Sequence, residues 1–314
     1  MARQVKGHSD KTVVEMRQEL ARTIASYAPT AGAYPMAVPG LSLFRRTTTT
    51  HGCQATYEPS LAVFVQGRKR VNLGGTTYFC DGSSFLLTSV DVPVESQITE
   101  ASEEVPMLSL MLRWGMQDVR EILASEELPE ADLQMKGRGI AVGETTPELL
   151  DACSRLIALL ETPSDVPFLS KLIQREIIYR ILRTPQGERL RAIATTGDPS
   201  NRTAKAIAWL KTNYAKPLRM EELADVARMG VSTLHHQFRA LTAMSPLQYQ
   251  KQLRLQTARQ RMLMEGIDAT SAAFEVGYES VSQFNREYSR LFGQPPMRDV
   301  KALRVSSPVA LEVA

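Results

Sequence analysis

Eight side chains define the chemistry this chain offers. Ser232, His235, His236 and Arg239 recur fifty residues later as Ser282, Asn285, Arg286 and Ser289. All eight can donate hydrogen bonds and none is acidic. With Leu234 set at zero on a helical wheel, Phe238 and Leu241 fall within about 40° and mark a buried face, while the four polar residues lie roughly 100° to 200° away. The same arithmetic holds around Phe284, Tyr288 and Leu291. Donors on such an arc suit base edges in a nucleic-acid groove. Arg286 suits them best, because a guanidinium fork matches guanine O6 and N7. A solvated face is the bland alternative for any single helix. Two copies in register with the same face free weigh against it. His235 and His236 are adjacent, so they point about 100° apart and cannot share a metal as i,i+4 histidines do.

The elements that would position these side chains follow from the repeat. Each copy has the pattern of a helix-turn-helix, and two such units in tandem suit two successive stretches of one DNA groove. In the second copy Ser280 is placed as N-cap with Gln283 closing a capping box, and Gly277 ends the preceding helix. The first copy has only Gly230 at the capping position. Between the units Ser245 and Pro246 start a helix that Gly266 stops, about 28 Å long at 1.5 Å per residue. Tyr249, Leu253 and Ala258 should pack inward, leaving Lys251, Arg254, Arg259 and Arg261 for phosphate.

Charge follows the same division. Residues 201–304 carry 16 Lys+Arg against 9 Asp+Glu, whereas residues 1–200 carry 21 against 24, within an overall +3. The excess lies in the repeated part, where a polyanion would want it. Three scattered cysteines without a CxxC suggest neither a disulfide framework nor a zinc site. The charged N-terminus lacks the apolar core of a signal peptide, and no run reaches the length of a membrane span. A reduced, cytoplasmic protein is expected.

Upstream, short apolar runs at 41–44, 61–65, 71–73, 77–79, 85–87 and 107–112 alternate with turn residues such as Gly74-Gly75 and Asp81-Gly82. Evenly spaced strands of this kind predict a small antiparallel barrel or sandwich. From Thr146 the period becomes helical, with stripes through Leu149, Cys153 and Leu156 and through Leu169, Leu172, Ile173, Ile177 and Ile181. Two stripes suit a helical hairpin packed on the strands, or a subunit seam. The expected division is a sensing and dimerisation domain at 1–184, a linker at 185–203, a DNA-binding domain at 204–304 and a tail at 305–314.

The runs ALTAMSPLQY at 240–249 and VGYESVSQFNREYSRLFGQPP at 276–296, with the arginine-rich helix between them, resemble the DNA-binding domain of AraC/XylS-type transcription regulators. YEPSL at 57–61, VQGRKRV at 65–71 and LTSVDVP at 87–93 resemble the N-terminal domain of one subgroup of that family. The resemblance implies an α+β chain with an N-terminal cupin-like β-barrel flanked by helices. Its C-terminal all-α domain would hold two helix-turn-helix units joined by a long helix. It further implies double-stranded promoter DNA and RNA polymerase as partners, an activating role, a small-molecule effector and a homodimer formed through the N-terminal domain. Gly230 departs from the serine usual there, and Val281 from the usual proline or alanine.

A cupin-like domain raises the question of catalysis. Metal-dependent cupins need clustered histidines, and residues 31–113 contain only His51. With no GxSxG elbow, P-loop or dinucleotide fingerprint either, no enzyme, metal or cofactor is expected. The alternative is a cupin-type enzyme tethered to DNA. Arg45, Arg46, Arg68 and Arg70 are the candidates for an anionic effector, although Gly67-Arg68-Lys69 also reads as a solvated hairpin tip. Cys53 and Cys80 would be reactive only if a nearby cation lowered the thiol pKa; burial is the expected state.

Overall fold

A computed structural model describes residues 12–125 and 137–306. Residues 1–11 and the tail beyond 306 lie outside them. The first helix, α1 (Val13–Tyr27), begins at a complete capping box of Thr12 and Glu15. Among the described residues ten strands follow: β1 (Gly32–Pro35), β2 (Leu41–Arg46), β3 (Cys53–Tyr57), β4 (Ser60–Gln66), β5 (Arg68–Leu73), β6 (Thr76–Asp81), β7 (Ser84–Thr88), β8 (Val92–Glu100), β9 (Met107–Arg113) and, after α2 (Met116–Ser125), β10 (Ile140–Glu144).

All pairings are antiparallel, and the strands form two sheets and not one closed barrel. The larger sheet has the order β1-β2-β9-β4-β7-β10 and the smaller β3-β8-β5-β6. Strands β4 and β7 are apolar on both faces, which marks a middle layer. Leu61, Val63, Phe85 and Leu87 pack toward α1 and the helical hairpin α3 (Pro147–Ala158) and α4 (Val166–Leu182), while Phe64 and Leu86 pack toward Val71, Leu73 and Val94 of the smaller sheet. The β5–β6 hairpin closes on Gly74 and Gly75, both at positive φ (55° and 85°), as a two-residue turn requires.

The stretch expected as a linker, in which 189–195 also reads as helical, contains helix. A 3-10 turn at Pro185–Gly187 leads into α5 (Glu188–Ala194), which buries Leu190 and Ile193, and α6 (Pro199–Asn213) starts within it. Its proline and glycines act as helix boundaries, not as slack. The C-terminal helices are α7 (Met220–Ala227), α8 (Val231–Thr242), α9 (Pro246–Met264), α10 (Ala269–Glu275), α11 (Val281–Phe292) and α12 (Pro296–Ser306).

The cores do not follow the order of the chain. Leu223, Leu234, Phe238, Leu241 and Tyr249 share one apolar cluster with the smaller sheet. The second unit has its own, built on Phe284, Tyr288, Ala258, Met262 and Val300. Among the described residues no helix is long and apolar enough to cross a membrane.

Candidate nucleic-acid interface

Helices α8 and α11 begin and end fifty residues apart, at Val231 and Val281 and at Thr242 and Phe292. Each ends on a left-handed residue, Ala243 (φ 63°) or Gly293 (φ 78°), and the next helix then starts at Pro246 or Pro296. The repeat in sequence is thus a repeat in backbone. Leu234, Phe238 and Leu241 are buried on α8, and Phe284 and Tyr288 on α11. The polar arc faces outward. Ser232, His235, His236 and Arg239 are exposed, as are Ser282 and Arg286, while Asn285 and Ser289 are half-buried. Asn285, Arg286 and Ser289 line a shallow groove bounded by Ala269 and Pro296.

The caps differ between the units. Ser280 accepts the amide of Gln283 at 3.3 Å, but the Gln283 side chain turns to Glu287 Oε1 at 3.1 Å, so only half of the expected capping box forms. The complete box lies at the start of α9, where Ser245 and Gln248 cap each other reciprocally. Gly230 begins α8 with no side-chain cap. Gly277, at φ 89°, sits where a Cβ would fall 2.0 Å from the carbonyl oxygen of Ala215.

The cations of α9 do not wait for phosphate. Arg254 donates to the carbonyls of Tyr214 (2.7 Å), Gly277 (2.8 Å), Lys216 (2.9 Å) and Ala215 (3.1 Å), which makes it a brace between the end of α6 and the second unit. Burial draws its pKa down. Lys251 pairs with Glu287 at 2.8 Å, Arg261 with Glu265 and Glu275, and Arg259 forks onto Asp299 at 2.8 and 2.9 Å. Asp299 also accepts the Tyr288 hydroxyl at 2.7 Å, satisfying the one polar atom that a tyrosine brings to the position Phe238 occupies in the first unit.

The first unit is fastened to the sheets at the end of α8. The Gly139 amide donates to Leu241 O at 2.8 Å, and Arg138 Nη1 donates to Arg239 O at 2.7 Å and Ala240 O at 3.3 Å. These bonds satisfy carbonyls that a helix terminus leaves open. A Cβ on Gly74 would meet the Cβ of Ala243 at 2.1 Å, so the β5–β6 turn seats directly on the helix end. Nearby, Lys211 bridges Glu58 (2.6 Å) and Asp91 (2.7 Å), and Tyr249 donates to Asp91 O at 3.0 Å. Burial alone would lower the Lys211 pKa, but the two carboxylates outweigh it and raise the value.

The four candidate effector residues do not converge. Arg68 pairs with Glu100 and Arg70 with Gln97, Arg45 reaches Ala28 O, and Arg46 alone lines the cavity between the sheets. Lys69, read from sequence as part of a solvated turn, lines that cavity too. The overlooked signal is its two-residue spacing from Val71 and Leu73. Cys80 and Cys153 are buried, and burial pushes both thiols up to about 12, whereas Cys53 is exposed at the cavity rim.

Comparison with known proteins places both halves. Residues 37–189 match the family described as the AraC-type transcriptional regulator N-terminus, and residues 223–301 match a helix-turn-helix domain family. The HTH-type transcriptional activator RhaS of Escherichia fergusonii is 30% identical over 161 residues, covering 50% of this chain and 56% of that protein. RhaS of Yersinia pestis is 31% identical over 105 residues, covering 33% and 38%. The chain thus spans about half or less of the length of these relatives. ToxT of Vibrio cholerae bound to an unsaturated fatty acid shares the fold, with a TM-score of 0.56 at 10% identity over 83% of this chain and 93% of that one. ToxT bound to (E)-4-(8-methylnaphthalen-1-yl)but-3-enoic acid gives a TM-score of 0.56 at 12% identity, covering 83% and 99%.

Proposed function

Because the chain belongs to the AraC/XylS-type transcription regulators, carrying that family's N-terminal domain and a helix-turn-helix domain in one polypeptide, we propose that it binds promoter DNA sequence-specifically and activates transcription with RNA polymerase as partner. The observation that carries this reading is the fifty-residue coincidence of α8 and α11 with their polar arcs free. Base contacts fall to Ser232, His235, His236 and Arg239 in one groove segment and to Ser282, Asn285, Arg286 and Ser289 in the next. Residues 204–304 form the reading part, and residues 1–184 answer to a small molecule. The tethered-enzyme alternative has little to build on, since residues 31–113 contain His51 alone and the matched relatives are named as activators.

Footprinting at several salt concentrations tests the proposal. Protection of one promoter well above random DNA is expected, and equal protection of both would sink it. In the same assay Arg286→Ala should cost about 1 to 3 kcal/mol and relax preference at one base pair. A uniform loss over all sequences would assign Arg286 to phosphate.

A homodimer has its own observation. Phe168 (71% exposed), Leu172 (51%) and Leu169 (38%) form an open apolar face on α4. With the α4 helices of two copies antiparallel, a twofold axis through this exposed face would bring Phe168 against Leu172 of the second copy. Sedimentation of Leu172→Lys should show monomer where the parent chain is dimeric; a monomeric parent chain would end this part of the proposal.

A further inference from the structure

The Gln283 side chain is released from the role that its spacing predicts. In a capping box it would return to the amide of Ser280. Instead Ser280 alone caps, accepting Gln283 N at 3.3 Å, and Gln283 Nε2 donates to Glu287 Oε1 at 3.1 Å. Gln283 is exposed and is the third residue of α11, in the turn where a recognition helix meets base edges. With Phe284 at zero on the wheel it lies at about 260° and Arg286 at about 200°, so the two are neighbours on one side of the free arc. Their spacing of three residues is about 4.5 Å along the axis, close to the rise of one base pair, ~3.4 Å. Zinc-finger helices read successive bases from positions with this same spacing.

Glu287 supplies the other half of the arrangement. A bare carboxylate on a helix offered to DNA would repel phosphate. Here Lys251 Nζ donates to Oε1 at 2.8 Å and the Tyr278 hydroxyl to Oε2 at 2.8 Å, and the side chain is half-buried. The carboxylate is therefore both compensated and fixed. Because it can only accept, the atom of Gln283 held against it is the amide nitrogen. One N–H is taken up in this way, and the amide oxygen and the second N–H stay free. That pair matches adenine, whose N6 donates to the oxygen and whose N7 accepts from the N–H. Rotamer freedom that a free glutamine would lose on binding DNA is already lost in the fold. The first unit has no counterpart: Thr233 and Gln237 stand at the positions of Gln283 and Glu287, with Asn201 for Lys251 and Arg228 for Tyr278.

We propose that Gln283 is a further specificity-determining residue, that it selects adenine in the base pair next to the guanine taken by Arg286, and that Glu287 positions it. This rests on reading α11 as a recognition helix. It adds a two-base-pair preference, guanine beside adenine, and confines that preference to the second unit. Glu287 touches no base; it acts through the Gln283 amide, and Lys251 and Tyr278 act through Glu287.

The probe is the tightest duplex that the full chain selects from a random pool, with binding read by fluorescence anisotropy at fixed salt. Each adenine in it is replaced in turn by 7-deazaadenine, which keeps the base pair and removes the N7 acceptor. One replacement should weaken the parent chain about tenfold, at the pair adjacent to the one where Arg286→Ala relaxes preference. Gln283→Ala should weaken binding to the unmodified duplex by a similar factor and become indifferent to that replacement. It should keep the preference at the Arg286 pair, which shows that α11 is still seated. Glu287→Gln should blunt the response to the same 7-deazaadenine and leave the other positions as they were, whereas a mere tie between α9 and α11 would weaken every position alike. No sensitive adenine beside the Arg286 pair, undiminished sensitivity in Gln283→Ala, or a uniform loss in Glu287→Gln would each overturn the assignment alone. Selection of no sequence at all would overturn the reading of α11, and the assignment with it.

Discussion

At the scale of single residues, two glycines at helix junctions do opposite things. Gly277 combines a φ of 89° with a Cβ position 2.0 Å from Ala215 O, so Gly277→Ala should destabilise the second unit by about 1 to 3 kcal/mol, read by thermal or urea unfolding. Gly230 has φ −67° and open space around it. Gly230→Ser should therefore add the missing cap and gain a few tenths of a kcal/mol; a loss there would mean that α8 needs the glycine. The polar arcs were legible because helical periodicity fixes which side chains are free. The fates of Lys69 and Arg254 were not. Lys69 stands between Arg68 and Arg70, so composition hides its inward direction. The carbonyls that bind Arg254 come chiefly from residues 38 to 40 positions earlier in the chain.

At the scale of elements, strands with a continuous apolar run were evident and mixed ones were not. Strand β8 begins at Val92-Pro93, which reads as a turn. Pro93 is tolerated because it faces only Thr56 of β3, the pairing with β5 reaching no further than Glu95. The stripe on α4 was visible, but it divides: Ile177 and Ile181 are buried in the core and Ile173 packs against it, while Leu169 and Leu172 stay exposed. In the second unit Glu287 joins three partners: Lys251, Gln283 and Tyr278. Burial alone would raise its pKa from 4.5, yet these bonds outweigh burial and lower it. A depressed carboxylate stabilises the fold fully above its unfolded value and loses that contribution as pH falls through the folded one. Acid titration of unfolding should accordingly show the second unit loosening below about pH 4.5, and Glu287→Gln should flatten that slope. An unchanged slope would place the acid sensitivity elsewhere.

At the scale of the whole molecule, the division by chain position and the division by packing differ. Sequence placed a boundary near residue 185, where composition changes. Packing places it inside α9, since the first unit and the smaller sheet bury one cluster and the second unit buries another. No local pattern could announce this, because Leu234 and Phe238 look the same whether their partners are helices or strands. Native-state hydrogen exchange should find α8 amides protected to the same level as those of β5 and β8, with α11 opening separately. Comparable opening of α8 and α11 would argue against the shared core.

The seating of Gly74 and Gly139 on the end of α8 also bears on how such a chain can be recombined. A hybrid that replaced everything after residue 203 would set a foreign helix end against a turn and a strand shaped for Ala243 and Leu241, and would strip the smaller sheet of its apolar cover. Grafting within α9 would keep those surfaces together and exchange only the second helix-turn-helix unit. The modular seam of this chain, for an engineer or for a recombination event, lies between its two helix-turn-helix units and not ahead of them.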